Sequence, residues 1–322
     1  MNRQFFSELR LPDPSADLNV GAGAPNEQVA AIIGGLGRLF ASAVPDIAIV
    51  PGDTNSALAA GIACSKAGVP IAHLESGCRS GDFRMAEEVN RRLLDHMSQV
   101  LLCPTPSCVA NVRDEQVLAR TISHTGDTMY DSLKKLKPSI EKRAGKLRPG
   151  LTKGEYAFMT LHRAETVDDA PTLRRVLAGV ASLGIKVAFS VHPRTRERMD
   201  AFGIRLGPGF EPVEPLPYLE TLSLVSGSAF VITDSGGLQK EAYWLRKPSL
   251  IVRDTTEWGE IVGAGAAFLV GISKEKMKQA QKRLGKVTSE AFAGSAAIFG
   301  RGDASSKVVR VLSRFSAGQE RR

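Results

Sequence analysis

The sequence predicts an α/β protein made of two doubly wound halves, each a parallel sheet covered by helices on both faces. Three observations carry this. Short apolar runs rich in β-branched residues recur along the chain, each followed by a stretch of helical period. A Pro/Gly/Lys stretch, LRPGLTKGE (147–155), breaks the rhythm near the middle, after which it restarts. The 322 residues suffice for two ordinary domains, and 43% apolar with 24% charged residues is the composition of a globular chain.

In the first half, PDIAIV (45–50) reads as a strand ending at PGDT, and NSALAAGIACSKAG as a helix closed by glycine. VPIAHL (69–74) is the next strand and AEEVNRRLLDHMS the next helix. QVLLCPT, SCVANVRDEQV, TISHTG and DSLKKLKPSIEKRAG continue as strand, helix, strand and charged helix. In the second half YAFMTLH is a strand, APTLRRVLAGVASLG a helix and IKVAFSVH a strand. ETLSLVSGS reads as a helix, AFVITDSGG as a strand and turn, LQKEAYWL as a helix and PSLIVRD as a strand. SKEKMKQAQKRLGK and SSKVVRVLSRF are late helices.

Composition narrows the function. Every long apolar stretch is broken by a charge, a proline or a turn, so no membrane span is expected. The start, MNRQFFSELRLPDP, lacks the apolar core of a signal peptide. Cysteines at 64, 78, 103 and 108 form no C-x-x-C pair, which points to a reduced, cytoplasmic protein without a zinc knuckle. The net charge of +8 is dispersed or lies in KEKMKQAQKRLGK and the terminal QERR. No aromatic residues interleave with it, so an anionic small ligand is expected rather than nucleic acid.

In doubly wound sheets ligands bind beyond the carboxyl ends of the strands, and between two such halves the cleft is the natural site. Asp53, Glu75 and Asp234–Ser235 follow expected strands, and His192 ends one. HLESGCRSGDFRMAEEVNR (73–91) crowds acids and arginines just past one of them. A solvated helix start or one wall of an active site would each account for it. In TDSGGLQKEA, Gly236 and Gly237 let the backbone turn into a helix whose free N–H groups suit a phosphate. Glu241 further along is placed for ribose hydroxyls. Arg253 in VRDTTEW either binds phosphate or pairs with Asp254 and Glu257. His162–Arg163 cap, pair or bind, and Tyr218 packs in the core or lies against a base. No metal-ligand spacing, G-x-S-x-G elbow or G-x-G-x-x-G turn occurs, so neither a metal nor NAD is expected.

The ordered set GDTNS, HLESG-x-RSGD, AEEVNR, GDTMYD, LHRAE, SVHPR, TDSGGLQKEA and RDTTEW resembles the non-hydrolysing UDP-N-acetylglucosamine 2-epimerases. The resemblance implies two Rossmann-like domains in a GT-B arrangement with an interdomain cleft, a homodimer and no cofactor. It implies an N-terminal domain over 1–148, a UDP-binding domain over 149–302, and a helix over 303–322 crossing back to the first. The implied reaction is the C2 epimerisation linking UDP-GlcNAc and UDP-ManNAc, by elimination and re-addition of UDP, a step in supplying cell-surface polysaccharide. Asp53, Glu75 and Glu87 then match the family's essential carboxylates, one of which removes the C2 proton. His192 matches the histidine near the diphosphate. Ser235 and Gly236 would hold phosphate, Glu241 the ribose, and Arg91 and Arg253 would support the anion.

The chain departs from the family's pattern at Ala86, where proline is usual, and at Thr166, where asparagine is usual. The match also begins at FFSELRLPDP, without the family's opening strand and glycine-threonine-arginine-proline-glutamate turn. A misassigned start or a damaged copy would each explain that, and the neighbouring strand would be expected to lie exposed. Two alternatives follow: a UDP-2,3-diacetamido-glucuronate 2-epimerase using Arg79 or Arg84 for the extra carboxylate, or an inactive UDP-sugar binder. A GT-B glycosyltransferase fits less well, because the acids would be gathered around one sugar carbon.

Overall fold

The computed structural model describes residues 6, 8, 9, 11–21, 23–144 and 150–319. Part of the expected linker (147–149) and the end of the basic tail (320–322) lie outside them. In chain order the elements are α1 (Pro25–Ser42), β1 (Ala48–Pro51), α2 (Asn55–Lys66), β2 (Ile71–Leu74), α3 (Ala86–Met97), β3 (Val100–Cys103), α4 (Pro106–Asp114), β4 (Thr121–His124) and α5 (Thr128–Ala144). There follow β5 (Tyr156–Thr160), α6 (Ala164–Val167), α7 (Ala170–Ala181), β6 (Lys186–Ser190), α8 (Pro193–Ala201), β7 (Phe210–Val213), α9 (Tyr218–Gly227), β8 (Phe230–Thr233) and α10 (Gly236–Trp244). The chain ends with β9 (Ser249–Ile251), α11 (Gly259–Gly263), β10 (Ala267–Leu269), α12 (Lys274–Leu284), α13 (Ser295–Phe299) and α14 (Ala304–Gln319). It separates into two compact units: unit I is Pro14–Ser132 with Ser295–Arg322, and unit II is Met1–Asp13 with Leu133–Gly294.

Unit I holds a parallel sheet in the order β1-β2-β3-β4. The two central strands, β2 and β3, are buried and apolar but for His73, as strands covered on both faces must be, whereas β1 and β4 at the edges are partly exposed. Side chains alternate across the sheet, so Val50 and Ile71 pack with Phe40, Ala57, Cys64 and Leu94 of α1–α3. Ala72, Val100 and Leu102 face the other way and pack with Val308 and Phe315 of α14. The α2–α3 crossing is tight enough that a Cβ at Gly61 would lie 2.5 Å from Leu94 Cδ2. Among the described residues β1 pairs only with β2, and Ile49 on it is 50% exposed.

The GDTMYD motif does structural work at this end of unit I. Gly126 has φ +86°, and a Cβ there would sit 2.7 Å from the Phe299 carbonyl oxygen. The Asp127 N–H donates to that same oxygen at 2.9 Å. Asp131 then accepts from the N–H groups of Ala304 and Ser305, at 3.1 and 2.7 Å, capping the start of α14.

Unit II holds a six-stranded parallel sheet in the order β10-β9-β8-β5-β6-β7. Numbered within the unit this is the 3-2-1-4-5-6 order of a doubly wound sheet, with its reversal between β5 and β8. The core is continuous from Met159 and Phe189 through Ile232 and Leu250 to Met277. Each such side chain contributes about 1.5–3 kcal/mol on burial. The sequence pattern did not mark α1, α6, α8, α11, α13, β7 or β10. PRTRERMDA (α8) buries only Thr195 and Met199 and so shows little amphipathic contrast. β7 and β10 are four- and three-residue strands, too short for a periodicity to register.

Candidate functional site

In unit I the charged stretch past β2 resolves into one network. β1 and β2 run parallel with Pro51 beside Leu74, so the turns bearing Asp53 and Glu75 leave the sheet side by side. Glu75 is held at φ +69°, a left-handed conformation costly for a side-chain-bearing residue. Its Oε2 lies 3.7 Å from where a Cβ on Gly52 would stand. Such strain persists where the surroundings fix it, and it is concentrated at functional sites.

Helix α3 supplies the rest from one face. Glu87 lies in its first turn, and Arg91 one turn later donates Nε to Asp53 Oδ2 at 3.1 Å, with Nη2 also contacting that oxygen. Asn90 Nδ2 donates to the Asp53 carbonyl at 2.9 Å. Arg91 is buried and also donates to Glu88 Oε2 at 3.0 Å. Burial pushes the Asp53 carboxyl above its ordinary range; Arg91 opposes this, and the negative charges of Glu75 and Glu87 reinforce it. The three predicted acids are therefore within electrostatic reach of one another. Arg91 is engaged by two carboxylates.

Glu88, which sequence reasoning left unassigned, is fully buried and tied down on all sides. It accepts from Ser80 N–H at 2.9 Å, Ser80 Oγ at 3.0 Å, Gly81 N–H at 3.3 Å and Arg92 Nε at 3.0 Å. Arg79 donates to Glu115 through Nε at 2.9 Å and contacts Asp95 Oδ2 at 2.7 Å. Arg84 is 87% exposed and pairs with Asp82 at 2.7 Å. His73, fully buried, lies 2.7 Å from Asp95 Oδ1. A histidine inside an otherwise apolar strand was the available signal, since a buried polar ring needs partners.

In unit II, Asp234, His162, Arg163 and His192 gather at the ends of β5, β6 and β8. Asp234, fully buried, accepts from the N–H groups of His162 and Arg163, each at 3.0 Å to Oδ2. Arg163 Nε returns a bond to the Asp234 carbonyl at 2.9 Å. His162 and His192 stand with ring centroids 5.4 Å apart. His192 caps α8, its Nδ1 accepting from the Arg194 N–H at 3.2 Å, so the ring proton sits on Nε2. Burial, then His162, lowers its pKa, and the neutral ring is a single-proton donor.

Ser235 caps α10, and its Oγ accepts from the Leu238 N–H at 3.4 Å. Gly236 opens that helix without a positive φ, and a Cβ there would meet nothing closer than 3.5 Å. Gly237 follows within the first turn. Tyr218 OH donates to Glu241 Oε1 at 2.7 Å, which joins these two predictions in one pair. Of the two readings of Arg253, the ion pair is present: it holds Glu257 through Nη1 at 2.8 Å and Nη2 at 3.0 Å. Among the described residues no three His, Cys, Asp or Glu side chains converge as metal ligands.

Acids clustered at strand ends in one α/β unit, and a helix start at the switch point of the other, are the arrangement of a doubly wound protein that takes a small anionic ligand. A model of the UDP-N-acetylglucosamine 2-epimerase family matches residues 1–313, and the chain belongs to that family. It is 37% identical over 318 residues to a UDP-N-acetylglucosamine 2-epimerase homolog of Methanococcus maripaludis, covering 97% of this chain and 88% of that one. It is 35% identical over 321 residues to the UDP-2,3-diacetamido-2,3-dideoxy-D-glucuronate 2-epimerase of Pseudomonas aeruginosa, covering 98% and 88%. The crystal structure of Methanocaldococcus jannaschii UDP-GlcNAc 2-epimerase in complex with UDP-GlcNAc and UDP matches with a TM-score of 0.91 at 33% identity, over 98% of this chain and 88% of that one.

Proposed function

We infer that this protein epimerises C2 of UDP-N-acetylglucosamine, giving UDP-N-acetylmannosamine. A carboxylate removes the C2 proton as the C1–oxygen bond to UDP breaks, leaving a glycal and free UDP. UDP then re-adds at C1 while a proton is delivered to the opposite face of C2. The reaction needs acid and base groups around one carbon and stabilisation of a departing diphosphate.

The observation that carries this reading is the Asp53–Glu75–Glu87 cluster, in which burial and like charge raise the Asp53 carboxyl. A carboxyl moved up in this way is a better base and, once protonated, a usable acid. Arg91 orients Asp53. The other half of the chemistry is assigned to unit II. The α10 N-terminus with Ser235, Gly236 and Gly237 receives the diphosphate, and His192 donates Nε2–H to it. Glu241, oriented by Tyr218, accepts from the ribose hydroxyls. Arg253 acts through Glu257. The protein works as a cytoplasmic homodimer in supplying amino sugars for cell-surface polysaccharide.

The test is incubation of UDP-GlcNAc with the protein in heavy water. Deuterium at C2 of both sugars supports the reading; UDP binding with no deuterium leaves a UDP-sugar binder. A second reading has its own support, the 35% identity to the diacetamido-glucuronate epimerase. Its extra carboxylate calls for an extra arginine. Arg79 is buried against Asp95 and Glu115, whereas Arg84, paired with Asp82, is largely exposed and the better placed of the two to meet a ligand. NMR of the products from each nucleotide sugar separates the two, and conversion of the uronate alone selects the second.

A further inference from the structure

His73 is the one polar residue of β2, and none of the chemistry above uses it. Its Nε2 lies 2.9 Å from the Gly52 carbonyl oxygen and its Nδ1 2.7 Å from Asp95 Oδ1. A carbonyl oxygen only accepts, so Nε2 carries a proton. The Nδ1–Oδ1 contact needs a second one, because a bare ring nitrogen and a bare carboxylate have no hydrogen bond to make. Both ends of the imidazole are therefore bonded, Nε2–H to the Gly52 carbonyl and Nδ1 to Asp95 through a proton held between the two.

The two groups it bridges are the two turns of the acid cluster. Gly52, at φ +70°, precedes Asp53, and its N–H is already fixed to the Leu74 carbonyl at 2.9 Å. Asp95 Oδ2 accepts from the Gly77 N–H at 3.1 Å, and Gly77, at φ +79°, closes the turn that begins at Glu75. Arg79 at 2.7 Å supplies the remaining charge on Asp95. The path from one turn to the other is Gly52 carbonyl, His73 ring, Asp95 carboxylate and Gly77 amide, with every link buried or partly buried.

We propose that His73, acting through Asp95, is a positioning residue that locks the Asp53 turn against the Glu75 turn and so sets the separation of the two carboxylates. The proposal rests on the epimerase reading for its kinetic consequence, though not for its geometry.

Two substitutions in the full chain divide the bridge. An asparagine amide takes the place of Nδ1, so His73→Asn keeps a donor for Asp95 and falls short of Gly52. A glutamine amide reaches the place of Nε2, so His73→Gln keeps Gly52 and releases Asp95. Misplacement of a reacting group by about 1 Å costs on the order of 100-fold, and kcat for deuterium entry at C2 is expected to fall by that factor in His73→Asn. KM should stay within about threefold, since uniform substrate binding is untouched. His73→Gln, which releases Asp95, should lose a comparable factor, because the lock needs both ends; wild-type kcat in His73→Gln would show that the Asp95 link is dispensable and overturn the proposal. A folded His73→Asn protein with kcat within about twofold of wild type would overturn the proposal.

Two further measurements do not depend on turnover. Nitrogen-15 NMR of the wild-type protein, with His73 assigned by comparison with Asp95→Asn, should show Nε2 protonated, as the Gly52 carbonyl requires; an unprotonated Nε2 overturns the bridge. If wild-type protein places no deuterium at C2, it is the functional reading that fails. The crystal structure of His73→Asn then decides: a shifted Gly52–Asp53 turn sustains the proposal and an unmoved one overturns it.

Discussion

Arg91 reaches Asp53 from the second turn of α3, its Nε donating to Oδ2 at 3.1 Å while its Nη1 holds Glu88 at 3.0 Å. One guanidinium thus joins a proposed catalytic acid to a buried structural one. Because Arg91 lowers the Asp53 carboxyl and Glu75 raises it, the two neighbours can be removed in opposite senses. Arg91→Met should move the Asp53 titration to higher pH, and Glu75→Gln should move it lower. Carbon-13 NMR of the Asp53 carboxyl reads both, and shifts of the same sign would show that Asp53 is not balanced between them. The acid limb of activity should follow the Arg91→Met shift upward, since a general base works only when deprotonated. Stability should fall by about 1.5–3 kcal/mol, the worth of a hydrogen bond to a charged group.

Acid should unfold unit I through its carboxylates. Burial alone would raise Glu88, but the Ser80 N–H, Arg91 and Arg92 bring it below its usual value. Asp95 is lowered likewise, by His73 and Arg79 against burial. Glu115 is lowered chiefly by Arg79. For an acid whose folded pKa is depressed, the stabilisation is complete above the unfolded value. It is lost as pH falls through the folded one, because the unfolded chain takes up protons first. The part of the urea midpoint that these pairs supply should therefore be constant near neutrality and be lost below about pH 4.5, where free carboxylates titrate. In Glu88→Gln the fall should be shallower from a lower starting stability. A midpoint independent of pH in that range would show that these pairs contribute nothing.

The fold was legible because its strands are apolar runs and its helices are spaced between them. The PDIAIV, VPIAHL, QVLLCPT and AFVITDSGG strands all form. What pattern could not supply was the difference between adjacent acids. Glu87 and Glu88 are identical in type, yet only Glu88 faces inward to Ser80 and Arg92. That difference is a matter of 100° of helical rotation against a loop whose shape is not local. Arg253 was ambiguous for the same reason, since phosphate and carboxylate offer a guanidinium the same fork.

The glycine after Glu75 and Ser76 should be irreplaceable. Gly77 has φ +79°, and a Cβ there would stand 2.1 Å from the Cys108 carbonyl oxygen, backbone that cannot swing aside. Strain and overpacking together should cost Gly77→Ala more than about 3 kcal/mol. Gly68, at φ +71° with nothing within 4 Å, isolates the conformational part. Gly68→Ala should cost only about 1–2 kcal/mol. Urea midpoints of the two variants test the contrast, and equal losses would mean that the packing against α4 is looser than the geometry requires.

His192 offers a substitution that separates capping from catalysis. Its Nδ1 accepts from the Arg194 N–H at 3.2 Å, a role that asparagine fills well at a helix start. Asparagine cannot reproduce Nε2–H on the far side of the ring. His192→Asn should therefore keep its stability within about 0.5 kcal/mol, as expected where a cap is preserved. Loss of one preorganised donor to a departing anion costs on the order of 10²–10³ in kcat, and that fall is expected here. Burial and His162 lower the His192 pKa, so the fold favours the neutral ring. The unfolded chain gains the proton first as pH drops below about 6.5, so His192 weakens the fold there. The wild-type protein should lose some stability from that pH downward, and His192→Asn should lose less. A variant that melts early but turns over normally would assign His192 to the cap alone.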